Sequence, residues 1–302
     1  MNYAIDISNL PRPLTQNATL VEAFCMGKYG PDGPNDDILH VSDHYVAVID
    51  GATSKAVEVD WGKKSSARIA AEIIDDTLTN LSPAATVNQA IDKMTQKIHQ
   101  VYIDKGVVDQ VKQFPWERLS ASFSAYSFHH HEIWSVGDAP IRIDNYQPEL
   151  RKPHDQAAAD ARAARIQYLL LNGATVDELL KNDRSRAYIL PMLRGHQNYQ
   201  NDLNDHPLAH AVIDGFEVPD WGKKTFTLGD DIDEIILASD GYPRIKSSLE
   251  ESERYLKRVI EQDPLMYRLH PSTKGKMNGQ VSFDDRAYVR LTFDHNPPVK
   301  GL

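Results

Sequence analysis

Val46-Ala47-Val48-Ile49-Asp50-Gly51-Ala52-Thr53 is an apolar, β-branched run that stops abruptly at Asp-Gly. The pattern predicts a buried strand that delivers one carboxylate to its end and then turns sharply. Such a carboxylate stands on rigid backbone yet looks out of the core. Glycine after it lets the backbone carbonyl approach a ligand closely. An acid beside a bare carbonyl is a hard-oxygen site of the kind Mg²⁺ or Mn²⁺ prefers. Asp-Gly after a strand is also a common turn signal. The rest of the chain has to decide between the two.

Working outward, Thr19 to Met26 reads as a first strand, followed by a loop rich in glycine and proline from Gly27 to Pro34. That loop delivers Asn35-Asp36-Asp37 to a short strand, Ile38 to Val41. Pairing with the Val46–Asp50 strand would bring Asp36 or Asp37 near Asp50. Gly62 to Leu81 places Ala67, Ala70, Ala71, Ile74, Leu78 and Leu81 on one helical face. A second helix runs to about Lys105 and stops at Gly106; either Ser82-Pro83 or a Thr86/Gln89 capping box opens it.

Ser120 to Phe128 and Ile133 to Val136 read as strands around His129-His130-His131. Neighbouring strand residues point to opposite faces, so the three imidazoles read as a solvated turn rather than one metal cage. Gly137-Asp138 forms a second acid corner, and Ile141 to Ile143 continues as a strand. Residues 150–232 form the least regular stretch, with helices over Ala157–Leu171 and after Thr175 and an exposed loop over Asn198–Pro207. No Gly/Ser linker isolates it, so the chain reads as one domain, 1–302, carrying an insertion. Asp60-Trp61-Gly62-Lys63-Lys64 recurs as Asp220-Trp221-Gly222-Lys223-Lys224, but nothing flanking repeats with it. Asp233 to Ala238 repeats the opening pattern and ends in Ser239-Asp240-Gly241. Ser247-Ser248 caps a helix to about Gln262. Asp284-Asp285 precedes a last strand with Ala287, Val289, Leu291 and Phe293 on one face.

The 302 residues suffice for a full core, and 41% hydrophobic with 25% charged residues is the balance of a soluble globular chain. There is no apolar run of about 18 residues to span a membrane. Met1–Asp6 lacks the basic and apolar regions of a signal peptide, so a cytoplasmic location is expected. One cysteine, Cys25, excludes an intrachain disulfide and any multi-cysteine zinc site. The net charge of −10 disfavours nucleic acid as a partner.

Five segments therefore share one design. Acids stand at strand ends or adjoining turns: Asp36/Asp37, Asp50, Asp138, Asp240 and Asp284/Asp285. Carboxylates gathered at one point need cations between them. The inference is a divalent metal site, of two ions, bridged by Asp50. Two such ions, roughly 3.5–4 Å apart, polarise a water and clamp a phosphoryl group for in-line attack.

These residues resemble the metal-dependent type 2C serine/threonine protein phosphatases, over most of the chain and in that family's order. Asn35-Asp36-Asp37 resembles its Asn-Glu-Asp element, and Val46–Gly51 its strand ending in Asp-Gly. Ser135-Val136-Gly137-Asp138 is similar to its Val-Gly-Asp corner. Leu237-Ala238-Ser239-Asp240-Gly241 matches its Leu-Ala-Ser-Asp-Gly motif, and Asp284-Asp285 its Asp-Asn element. The resemblance implies an α+β fold, a four-layer α/β/β/α sandwich of two antiparallel sheets flanked by helices. It implies that Asp50 bridges two Mn²⁺ or Mg²⁺ ions, with the Gly51 carbonyl, Asp240 and Asp284 completing the first shell. Asp36 and Asp37 would position water, and Asp138 with Asp240 would serve a third ion. The stretch 150–232 would hold the flap that shapes substrate access.

Four positions depart from the family, one of them Leu119-Ser120-Ala121 in place of its Gly-Ser/Thr-Thr before the long strand. Ala52-Thr53-Ser54 stands where it has His-Gly-Gly or Met-Gly-Gly, so no imidazole follows Asp50-Gly51 to act as general acid. The phosphate-binding arginine is missing, and Lys28 is the nearest cation in that loop. Asp285 replaces the usual Asn. The expected activity is hydrolysis of phosphoserine or phosphothreonine by a metal-activated water. The alternatives are a weakly catalytic regulatory or binding module, or a phosphatase for a small phosphorylated molecule. The oligomeric state is not encoded in any feature read here.

Overall fold

The computed structural model describes residues 10–15, 17–55, 59–150 and 152–295. The segment Met1–Asp6 read above lies outside them. In chain order the elements are β1 (Arg12–Pro13), β2 (Ala18–Met26), β3 (Ile38–Val41), β4 (Tyr45–Ala52), α1 (Ser66–Thr79), α2 (Val87–Lys105) and α3 (Val108–Gln113). They continue with β5 (Ser120–Ser127), β6 (Glu132–Val136), β7 (Ile141–Ile143), α4 (Pro153–Leu171), α5 (Val176–Lys181) and α6 (Arg184–His196). The chain ends with β8 (Lys224–Thr227), β9 (Glu234–Ala238), α7 (Leu249–Gln262) and β10 (Arg286–Phe293).

The strands form two antiparallel five-stranded sheets, ordered β1-β2-β10-β9-β7 and β3-β4-β5-β6-β8. β4 shows why its sequence is continuously apolar. Val46 and Val48 pack between the sheets with Leu20, Leu237, Val289 and Leu291. Tyr45, Ala47 and Ile49 face the other way, against Ala70, Ile74 and Leu78 of α1 and Met94 and Ile98 of α2. A strand covered on both faces has no polar side. The outer face of the first sheet is closed by α7, through Leu256, Val259, Ile236 and Tyr288. The result is the expected four-layer α/β/β/α sandwich. Among the described residues no helix is long and apolar enough to cross a membrane.

Helix starts follow their caps. Ser65 accepts a hydrogen bond from the Arg68 N–H, so α1 begins four residues later than the Gly62 start expected from periodicity. Thr86 and Gln89 form the reciprocal capping box, so this box opens α2 rather than Ser82-Pro83. The 150–232 stretch is more regular than the sequence suggests. α6 was not expected there, and its interior Pro191 explains why. It packs on α4, and buried Arg162 of α4 donates to Asp183, just before α6, and to the carbonyls of Leu265 and Ser272.

The histidine run forms the β5–β6 turn, with His131 Nδ1 2.7 Å from the Tyr126 hydroxyl and His130 Nε2 3.0 Å from the Ala85 carbonyl. β5 meets Asp50 at Ser122 and Tyr45 at Ser127, so this turn lies at the end of β5 away from Asp50.

Two glycines set how closely the acid corners approach. A Cβ on Gly51 would stand 2.7 Å from the Asp36 carbonyl oxygen and 2.8 Å from that of Ala67. One on Gly241 would collide with the Asp285 carbonyl oxygen and approach Arg286 Cβ. At both positions the missing side chain admits a neighbouring backbone. We expect Gly241→Ala to destabilise the protein by about 2–4 kcal/mol, because backbone must move to admit the methyl group. Denaturant unfolding measures this. An unchanged midpoint would contradict the packing described.

Candidate functional site

The acid corners meet at one end of the two sheets. Ile38 pairs with Ile49, which sets Asp36 and Asp37 beside the end of β4. Tyr288 pairs with Ala238, and the Ser239 N–H donates to the Ala287 carbonyl, which sets Asp240 beside Asp284 and Asp285. The sheets then bring these ends together: the Asp240 N–H donates to Asp50 Oδ2 at 3.3 Å. Asp138 follows β6, and Ser122 of β5 donates to its Oδ1 at 2.7 Å. Asp36, Asp50, Gly51, Asp138, Asp240, Asp284 and Asp285 all line one cavity of about 250 Å³. Asp37 lies beneath it, 3% exposed. Every acid singled out in the sequence is thus at this site.

The crowding has electrostatic consequences. Burial, followed by repulsion from Asp240 and Asp37, pushes the Asp50 carboxyl well above the usual range. Burial and then Asp285 do the same to Asp37. Removal from bulk water and then repulsion from Asp284 push Asp240 up to about 7, although its exposed edge at the mouth lets solvent screen part of this. Asp138 goes the other way. Burial alone would raise it, but the Lys152 ammonium at 2.8 Å and the Ser122 hydroxyl hold it below the usual range.

Asp284 and Asp285 are distinguished by their partners. Asp285 accepts from the Lys28 N–H at 2.7 Å, the Lys28 ammonium at 2.9 Å and the Asp36 N–H at 3.2 Å. It is a structural clasp between the β2–β3 loop and β10. Asp284 instead pairs with the Lys274 ammonium and lies 4.0 Å from that of Lys28. Asp36 accepts hydrogen bonds from the hydroxyls of Ser65 and, at 3.3 Å, Thr53.

The cavity also holds cations that the sequence does not point to: Lys55, Lys152, Arg186 and Lys274 line it, with His154, His196 and His210. All three imidazoles come from the 150–232 stretch. His154 lies 4.5 Å from His210 and 4.7 Å from His196, ring centre to ring centre. Burial lowers His154 to about 4 and His210 to about 3, so both are neutral at pH 7. Only Lys28 was singled out by sequence. The other cations sit in loops or in the insertion, where periodicity carries no information about which wall a side chain reaches.

The donor chemistry fits hard divalent cations. Asp50, Asp240, Asp284, Asp138 and the Gly51 carbonyl offer only oxygen, and buried Asp37 Oδ2 has no hydrogen-bond partner among the described residues. The repulsion among Asp37, Asp50 and Asp240 is what bound cations would relieve. Lysines currently partner two of the acids, Asp284 and Asp138. Among the described residues no three carboxylate, imidazole or thiolate groups close on one point as a finished cage.

No family model matches the chain, and no curated protein does. Solved structures do. The serine/threonine phosphatase PstP of Mycobacterium tuberculosis aligns over 92% of this chain and 100% of its own at 15% identity, with a TM-score of 0.44. RsbX in complex with magnesium aligns over 93% and 97% at 14% identity, with a TM-score of 0.44. A bacterial serine phosphatase aligns over 93% and 98% at 11% identity, with a TM-score of 0.47. Likenesses of this degree assign no residue and no activity.

The Asp240 shift has a definite sign. A raised carboxyl binds its proton more tightly in the folded state. Its contribution to stability is full below the ordinary value of 3.8 and is lost as pH rises through about 7. We expect Asp240→Asn to melt at a higher temperature than the parent protein at pH 8 in chelator. The gap should close towards pH 4. A lower melting temperature for the variant at pH 8 would contradict the repulsion.

Proposed function

We propose that the protein is a divalent-cation-dependent phosphatase acting on phosphoserine or phosphothreonine. The observation that carries this reading is the convergence of Asp36, Asp50, Asp138, Asp240 and Asp284 on one cavity that Lys55, Lys152, Arg186 and Lys274 also line. Acids that repel one another would hold cations, and the cationic side chains would hold a phosphoryl group. The ordered motifs resembling the type 2C family support the same chemistry.

In this reading Asp50, the Gly51 carbonyl, Asp240 and Asp284 would hold two Mn²⁺ or Mg²⁺ ions, and Asp138 with Asp240 a third. Bound cations would supply Lewis acidity and neutralise phosphoryl charge. The protein's own residues set the geometry. Ser65 and Thr53 fix the Asp36 carboxylate, so Asp36 can orient water at the cavity floor. Asp37 would do the same from below. Asp285 ties Lys28 to the loop that carries Asp36, which keeps that floor in place. An adjoining groove of about 690 Å³ shares Asp138, Lys152, Asp155, Asp240 and Thr273 with the cavity and is walled by Leu150, Pro243, Ile245 and Phe283. It gives room for the polypeptide flanking a phosphorylated residue, which favours a protein substrate over a small phosphoester.

A second reading, a phosphatase-like binding module, has its own observation. The ammoniums of Lys274 and Lys152 already neutralise Asp284 and Asp138. No nucleic-acid or membrane partner is proposed. We expect Mn²⁺-dependent hydrolysis of p-nitrophenyl phosphate and of phosphoserine peptides. Asp50→Asn should lower turnover by about 100-fold or more with an unchanged circular dichroism spectrum. Near-parental activity in that variant would refute the assignment. Metal binding without turnover in the parent protein would favour the module.

A further inference from the structure

The five cations at the cavity are not equivalent. Lys28 pairs with Asp285, Lys152 with Asp138 and Lys274 with Asp284. Among the described residues Lys55 and Arg186 pair with no carboxylate, although both line the same cavity and both are only partly exposed. We infer that Lys55 and Arg186 form the subsite that takes the substrate's phosphoryl group. The inference rests on the phosphatase reading above and names the residues that recognise its substrate.

Both side chains are held from behind. The Lys55 N–H donates to the Trp116 carbonyl at 2.9 Å, and its own carbonyl accepts from Arg194 Nε of α6 at 2.8 Å. Its ammonium donates to the Thr53 carbonyl at 2.7 Å, which orients the amine without cancelling its charge. Arg186 lies in the first turn of α6, and one guanidinium nitrogen donates to the Thr273 carbonyl at 2.7 Å. A guanidinium has five N–H donors in a planar fork, so most of them remain for a ligand. One carbonyl contact on each side chain fixes its place and leaves its charge unanswered.

The two charges also oppose each other. Burial, followed by the nearby Arg186, lowers Lys55 to about 7. Burial and then Arg162 lower Arg186 in turn. Two partly desolvated cations in one cavity are unfavourable until an anion lies between them. A phosphomonoester dianion matches that demand in charge, and its oxygens suit a fork and a point charge together. Asp155 acts on both groups, and Asp183 and Asp284 act more strongly on Arg186, yet none of the three makes an ion pair with either. The arginine missing from the loop before Asn35 is thus replaced from a different part of the chain: the β4 end and the insertion.

The test uses the full chain and inorganic phosphate as probe. Phosphate binding is measured by titration calorimetry with and without Mg²⁺, and hydrolysis of p-nitrophenyl phosphate with Mn²⁺. Lys55→Met and Arg186→Met should each weaken phosphate binding and raise KM by about 10-fold or more, the effect of one lost charge-assisted contact, with a smaller change in kcat. Arg186→Lys, which keeps the charge and loses the fork, should fall between and serves if Arg186→Met does not fold. Unchanged phosphate affinity and KM in folded variants would overturn the subsite, as would a parent protein that binds no phosphate. If the parent protein binds phosphate through these two residues yet turns nothing over, the subsite stands and the hydrolysis reading falls.

Discussion

Repulsion among carboxylates that the backbone forces together is the constraint on which this structure turns. Each acid corner is placed by antiparallel pairing: Ile38 with Ile49 on one sheet, Tyr288 with Ala238 on the other. The apolar filling between the sheets, Val46 and Val48 against Leu237 and Val289, then fixes how near those two ends come. Face-to-face sheets pack about 10 Å apart, and their side chains cannot be displaced without opening the core. The acids therefore cannot retreat. The chain answers the charge with ammonium groups from outside the sheets, Lys274 and Lys152.

This arrangement explains what could be read from the residues alone. β4 and β9 announce themselves by unbroken apolar runs, and each leads into an acid, Asp50 and Asp240. The pairing of β3 with β4 follows from a short turn, so Asp36, Asp37 and Asp50 could be placed together before any coordinates. Asp138, Asp240 and Asp284 required the sheets to stack, which only the repeated pattern and the family resemblance suggested. The first turn of α1 was misjudged because hydrophobic period says little about a cap, whereas Ser65 decides it. α6 was missed because Pro191 and a mixed, weakly sided sequence hide a helix held mainly by α4.

The cavity's cations were illegible for a different reason. Lys55 stands four residues after Gly51, yet nothing local states where its amine turns. Its direction comes from two tertiary hydrogen bonds, to Trp116 and from Arg194. Lys274 lies in a loop with no period at all, and Lys152 just ahead of α4. A cation's partner across the fold is a property of the packing, not of its neighbours in sequence. The insertion contributes Lys152 and Arg186 to the cavity's positive charge.

Two departures from the type 2C pattern can be understood as one change. Lys28 is the cation nearest the position of the missing arginine, and Asp285 stands in place of an asparagine. In the fold they pair with each other at 2.9 Å, and Asp285 also accepts the backbone N–H groups of Lys28 and Asp36. The two N–H groups reach different oxygens, Oδ1 and Oδ2, so an asparagine at 285 could accept only one of them and would also leave the Lys28 ammonium without its closest counter-charge. The acid and the lysine therefore need each other. With Lys28 engaged in that clasp, it is not free to serve as the phosphate anchor that its position suggests. Among the described residues the cavity cations outside any ion pair are Lys55 and Arg186, and in the proposed subsite an anion is met by these two rather than by the β2–β3 loop.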